Sequence, residues 1–175
     1  MWKMPRPVLV LLLLVFIGQI VYYYPQLPEK VASHFNGYGQ PDNWSSKQTF
    51  VLMMVVVATF AAAFPFLITA LIRSMPESLI NLPNKNYWLA AERREKTLQT
   101  LGAQFEWFSI AILALLIAIN QLAIQANLNQ QPLSMNVWYI LGAFLLFVIV
   151  WMIRFIRSFS IPKWCFGLWI LVFGL

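Results

Sequence analysis

The sequence has a single cysteine and a single histidine among its 175 residues. One cysteine, Cys165, excludes an intrachain disulfide and any zinc site built on paired thiolates. His34 with Asp42 and Glu29 offers ligand-type side chains, but one imidazole among scattered carboxylates has no standard spacing, so no metal and no cofactor is expected. His34 and Asp42 are expected to hydrogen-bond the backbone around them, or each other. Charge is scarce as well. Asp, Glu, Lys and Arg make up 10% of the chain, with six acidic against twelve basic residues. A soluble domain of this size needs a polar shell that so few charges cannot supply. The sequence has no Gly-rich phosphate loop, no GxSxG elbow and no HExxH pair, so no catalytic residue is assigned and an enzyme is not expected.

Apolar sequence fills the gap: 61% of residues are hydrophobic and the mean hydropathy is +0.70. It arrives in long blocks at residues 8–24, 50–72, 107–124 and 137–153. Each is about long enough, at 1.5 Å per residue, to cross or nearly cross a hydrocarbon core of about 30 Å as a helix. Tyr22, Tyr23 and Tyr24, then Trp138, Tyr139 and Trp151, fall at block ends where amphipathic rings settle at a membrane surface. Ser45 with Gln48 makes a capping-box pattern before the second block. Within that block Ala58 and Ala62 offer a close-packing face, and Pro65 removes a donor and crowds the carbonyl of Ala61, so a kink is expected. The predicted fold class is an all-α integral membrane protein, a four-transmembrane-helix bundle.

Ten of the twelve Lys and Arg residues lie before block one, between blocks two and three, or after block four. The positive-inside rule therefore puts both termini and the 73–102 loop in the cytoplasm, with residues 25–49 and 125–136 outside. Basic residues confined to these segments read as orientation signals, which disfavours nucleic acid as a partner and leaves membrane lipid. Residues 161–175, too short to span, are expected to lie at the interface with Trp164 and Trp169 near headgroup depth.

The outer segment is dense in turn-forming residues. Pro28 suits the first position of a short helix ending near His34, and Asn36 with Gly37 then turns the chain. Its ordered residues Leu27, Pro28, His34, Phe35, Gly39, Pro41, Asp42, Trp44, Ser46 and Lys47, flanked by two apolar blocks, resemble a bacterial family known as domain of unknown function 1648. The resemblance covers residues 8–65. The same module occurs in immunity proteins against the sporulation-delaying toxin, so the resemblance implies a bacterial inner-membrane protein of immunity or signalling type. It would meet a peptide toxin or envelope component outside, through His34, Phe35, Gly39, Pro41, Asp42, Trp44 and Lys47, and hold a regulator inside.

In the 73–102 loop, Asn84 or Asn86 is placed to cap an amphipathic helix starting near Tyr87, with Glu92 and Lys96 as an i to i+4 pair, running straight into block three. Asn84, Tyr87, Trp88, Glu92 and Arg93 are the candidates for contact with a cytoplasmic partner. The competing reading of this mixed-sign run is a solvated helix face. In the 103–156 segment, Glu106, Ser109, Leu113, Leu116 and Asn120 follow a 3,4 spacing, which puts polar groups at both ends of one face. Glu106 and Asn120 are therefore either helix-contact residues or parts of an ion path, and Glu106 is expected to reach interface water or pair with Arg73, Arg154 or Arg157. Three functions remain open: non-enzymatic recognition, a small transporter or channel subunit, and an enzyme at the outer surface. The oligomeric state is open too.

Overall fold

The computed structural model describes residues 5–160. The expected interfacial segment 161–175 lies outside the described residues. Among the described residues four helices are long and apolar enough to cross a membrane, so the chain is built as a multi-pass membrane protein. Helix α1, Arg6–Tyr23, begins on Pro5 and Pro7, whose fixed φ suits a first turn that needs no N–H, and it ends in a 3-10 turn at Tyr24–Gln26. Helix α2, Lys47–Ser74, is capped by Ser46, whose Oγ accepts from the Thr49 N–H at 3.1 Å. The cap is one residue later than the Ser45 pattern implied: strand β2 runs on through Ser46, and the helix begins only at Lys47. The helix stays continuous through Pro65.

The segment between α1 and α2 corrects the all-α expectation. Instead of a short helix after Pro28, strand β1, Lys30–Phe35, pairs antiparallel with strand β2, Pro41–Ser46. A lone helical turn fixes several torsions for one hydrogen bond, whereas the extended chain has partners on both edges here. Val31, fully buried, packs with Leu27, Phe50, Ala123 and Ile124 in a cluster that seats the hairpin on the helices.

After α2 a 3-10 turn at Glu77–Leu79 leads to a single helical turn, α3, Lys85–Trp88. The amphipathic helix predicted to start near Tyr87 is thus split. Its long part is α4, Ala91–Asn129, which runs unbroken from the connecting loop through the third apolar block, as expected. It also continues past residue 124 to Asn129, so the connection to α5, Val137–Ser158, is 130–136, shorter than the 125–136 predicted. Asn84 does not cap through its side chain. It sits at φ 54° and donates its Nδ2 to the carbonyl of Phe159 at 3.0 Å.

Helix α4 is the central element. The others pack on it: α1 and α2 extensively, α5 along another side, while α1 and α2 touch each other little. Leu9 and Phe16 of α1, Ala58 and Ala61 of α2, and Ile110 and Leu113 of α4 form the middle of the core. Alanines at this contact let the α2 and α4 backbones approach closely, the small-residue route to helix association where lipid offers no hydrophobic drive. Helix α5 is held by aromatic contacts, including Phe108 to Trp151 at 4.8 Å between ring centroids. Many of its apolar side chains are exposed, the surface expected where hydrocarbon is the solvent.

Candidate functional site

The hairpin is tied to the helices at three places. The first is Asn127 of α4, whose Oδ1 accepts from the Ala32 N–H at 2.6 Å while its Nδ2 donates to the Ala32 carbonyl at 3.0 Å. The amide behaves as one residue of a third strand, satisfying the edge of β1 that β2 does not cover. The second is the turn. Asn36 Oδ1 accepts from the N–H groups of Tyr38 and Gln40, and Gly39 takes φ +77°. The Leu133 N–H, in the α4–α5 loop, donates to the Gly39 carbonyl at 2.7 Å, and a Cβ on Gly39 would collide with the Leu133 carbonyl. The third is Lys47, whose ammonium lies 2.7 Å from Glu29 and 5.3 Å from the centre of the Tyr24 ring. The hydrogen bond from Lys47, with its charge, holds the Glu29 carboxyl below the usual carboxylate range.

What the hairpin presents is then clear. His34 Nδ1 and Asp42 Oδ1 lie 2.5 Å apart across the strands, both largely exposed. Trp44 is 48% exposed with the Lys30 ammonium over its ring, and Tyr38 at the tip is 82% exposed. Of the residues singled out from sequence, His34, Asp42 and Trp44 therefore share one presented surface. Phe35 packs against the buried cluster, and Gly39, Pro41 and Lys47 serve the geometry of turn, strand start and anchor. Sequence reasoning missed Asn127, Lys30, Tyr38 and Leu133. Asn127 had a signal: it continues the 3,4 series of Glu106, Ser109, Leu113, Leu116 and Asn120 by one more heptad step.

That series is the buried face of α4, which supports helix contact. Asn120 Nδ2 donates to Gln19 Oε1 at 2.8 Å, Gln19 Nε2 donates to Gln121 Oε1 at 2.8 Å, and Gln121 Nε2 donates to the Tyr23 hydroxyl at 3.0 Å. Three amides thus link α1 to α4, leaving Asn120 Oδ1 buried with no partner among the described residues. Beside it, below the hairpin, lies a mainly apolar groove of about 390 Å³ between α1, α2 and α4. At the far end Glu106, 3% exposed, pairs with Arg6 at 3.2 Å. The partner is on α1, not Arg73, Arg154 or Arg157 as expected, because this face of α4 is the one that α1 covers. Glu106 Oε2 has no hydrogen-bond partner among the described residues.

On that same side Arg73, ending α2, makes two hydrogen bonds to Glu95 of α4, at 3.0 and 2.9 Å. Arg94 approaches Glu77 at 3.5 Å, and Arg93 stacks over Tyr87 at 4.1 Å and donates to its carbonyl. Among the described residues Glu92 and Lys96 form no ion pair; the salt bridge of this turn belongs to Glu95. Trp88 donates to the Phe159 carbonyl at 2.7 Å, so it anchors the loop to the end of α5. Asn84 and Tyr87 remain at the edge of an open depression of about 620 Å³ that also includes Ser78, Asn81 and Asn86.

Residues 8–59 match the model of a family described as Domain of unknown function (DUF1648). The match spans α1, the hairpin and the first half of α2, and it ends before the helix that supplies Asn127. No curated protein and no solved structure matches the chain.

Proposed function

We propose that the chain is a non-enzymatic membrane protein of immunity or signalling type, set in a bacterial cytoplasmic membrane with both termini inside, that recognises a peptide or envelope component through its outward hairpin. The distribution of Lys and Arg supports that orientation. The observation that carries the reading is the shared support of the two surfaces. Helix α4 clamps the hairpin through Asn127 and, at its other end, carries the Glu95 that holds Arg73 beside the connecting loop. A recognition surface and a response surface are thereby parts of one rigid element, and a regulator held at the depression near Asn84 and Tyr87 is the inner half of the proposal.

The test is alanine substitution of His34, Asp42 and Trp44 in cells challenged with a membrane-active peptide toxin. Protection is expected to disappear while membrane abundance stays constant. Loss of abundance in step with protection would reduce the hairpin to a structural role and overturn the reading.

One observation favours a second reading, a small transporter or channel subunit: Glu106 is a buried acidic residue in a spanning helix, and one of its oxygens has no partner among the described residues. Ion flux into liposomes holding the purified chain, abolished by Glu106→Gln, is its expected signature. Absence of flux removes it.

A further inference from the structure

We infer that the outer edge of β2 takes an extended peptide as a third strand of the hairpin. This deepens the recognition reading by naming how the peptide is held, and it rests on that reading.

The two edges of the hairpin differ. On β1 the main chain of Ala32 points away from β2, since Asn127 bonds both its N–H and its carbonyl. Residues directly opposite in an antiparallel pair turn their main-chain groups either toward each other or both outward. Ala32 lies opposite Trp44 and Lys30 opposite Ser46, and the bond from the Lys47 N–H to the Glu29 carbonyl at 3.0 Å keeps the alternation in step. Trp44 and Ser46 therefore send their main-chain groups out along the far edge of β2, where Asp42, Asn43, Trp44 and Ser46 are all exposed. The Ser46 carbonyl opens α2 as its cap residue. The Trp44 N–H is held only by the side chain before it, Asn43 Oδ1 at 2.8 Å. Among the described residues the Trp44 carbonyl and the Ser46 N–H bond to no helix or loop.

That edge selects its occupant. It offers donor, acceptor and donor in order along an extended line, the pattern that an added strand complements with its own main chain. An acyl chain has nothing to give these groups. An anionic headgroup could take the two N–H groups but would then meet the Trp44 carbonyl and, beside it, the Asp42 carboxylate that His34 touches. A second copy fits less well, because β2 contains Asp42 and no cation, so no register of β2 against itself sets a positive charge beside Asp42. A peptide with an apolar residue opposite Trp44 and a Lys or Arg two residues further on, toward Asp42, meets the ring and the charge together. Little of the protein has to be ordered for this, since Asn127 and Leu133 already fix the hairpin.

The experiment uses the full chain in phosphatidylcholine nanodiscs and a capped, fluorescein-labelled peptide of alternating Thr and Val, with one Lys two residues after its central Val. Fluorescence anisotropy reads binding, and amide exchange reads the edge. Exchange at Trp44 and Ser46 is expected to slow when peptide is added. N-methylation of the central Val, whose N–H points at the Trp44 carbonyl, is expected to weaken binding by about tenfold, whereas N-methylation of the next Thr, whose N–H points away, is expected to leave it unchanged. The protein is unaltered in that comparison, so a folding defect cannot mimic the result. Asn43→Ala, which uncovers the Trp44 N–H, is expected to tighten binding by about two- to tenfold, a gain that a merely structural Asn43 would not give. Equal binding of the two methylated peptides, or no saturable binding at millimolar peptide, would overturn the inference. Slowed exchange at Trp44 and Ser46 without peptide, seen only when two chains share a nanodisc, would also overturn it by assigning the edge to a second copy. If the peptide results fail while alanine at His34, Asp42 and Trp44 still abolishes toxin protection, the edge fails and the recognition reading stands. If those substitutions leave protection intact, the recognition reading itself fails and the edge loses its role.

Discussion

Ser109 of α4 donates its hydroxyl to the main-chain carbonyl of Ala61 in α2, the acceptor that Pro65, four residues further on, has no N–H to occupy. The break that proline makes in one helix is thus filled by the neighbouring helix, at a point where no water is at hand to do it. Ser109→Ala is expected to destabilise the fold by about 1–3 kcal/mol, the cost of a buried acceptor left unmet. Pro65→Ala, which restores the helical donor, is expected to cancel most of that loss. Unfolding of the four variants in detergent, read as a double-mutant cycle, checks the coupling, and additive effects would show that the two residues act separately.

Asn127→Leu removes both hydrogen bonds to Ala32 while keeping an apolar volume in its place. Faster amide exchange across residues 30–35 is expected, with α1 and α4 protected as before, because the clamp serves the hairpin and not the helix contacts. Ala32→Pro removes the N–H donor and also fixes φ inside β1, so it is expected to accelerate exchange at least as much. Unchanged exchange in both variants would mean that the buried cluster around Val31 seats the hairpin alone.

Gly39→Ala tests the contact between the two connecting segments on the hairpin side. The added carbon meets the Leu133 carbonyl and the residue must hold a left-handed φ, so a loss of about 1–3 kcal/mol is expected. Gly37→Ala, where a Cβ meets nothing within 4 Å, is the matched control. Limited proteolysis between residues 130 and 136 is expected to rise only in the first variant.

The Glu29 to Lys47 pair sets a pH dependence. The folded carboxyl titrates below its unfolded value of about 4.3, so its contribution is present above that value and is lost as pH falls through the lower, folded one. Hairpin amide exchange, corrected for the intrinsic rate, is expected to accelerate in the acidic range below the usual carboxylate pKa. Glu29→Gln is expected to flatten that response. A wild-type acid profile identical to that of the variant would assign the change to another group.

The four spans and the fusion of the amphipathic segment with the third block were legible because long apolar runs leave one solution in lipid. The face of Glu106, Ser109, Leu113 and Asn120 was legible through its spacing. The hairpin was not: the segment after Pro28 reads locally as a short helix ending near His34, and it becomes extended through its pairing with β2 and through Asn127, nearly a hundred residues away. Arg6 as the partner of Glu106 was hidden for the same reason: spacing places Glu106 on a face but says nothing about which helix covers it. Among the candidate recognition residues, types that favour turns were read as contact residues, and Gly39 proved to be a docking point between loops.

The 39 residues of α4 have a mechanical consequence. At 1.5 Å per residue the helix is a rod of about 58 Å, roughly twice the hydrocarbon thickness, and it contains no proline. A rod that long turns small angles into displacements. Pivoting about its midpoint by about 5° carries its two ends about 2.5 Å in opposite directions, given that rise. A shift of that size exceeds the tolerance of a hydrogen bond, so a tilt of α4 that moved Asn127 would strain the Arg73 to Glu95 pair near the helix's other end.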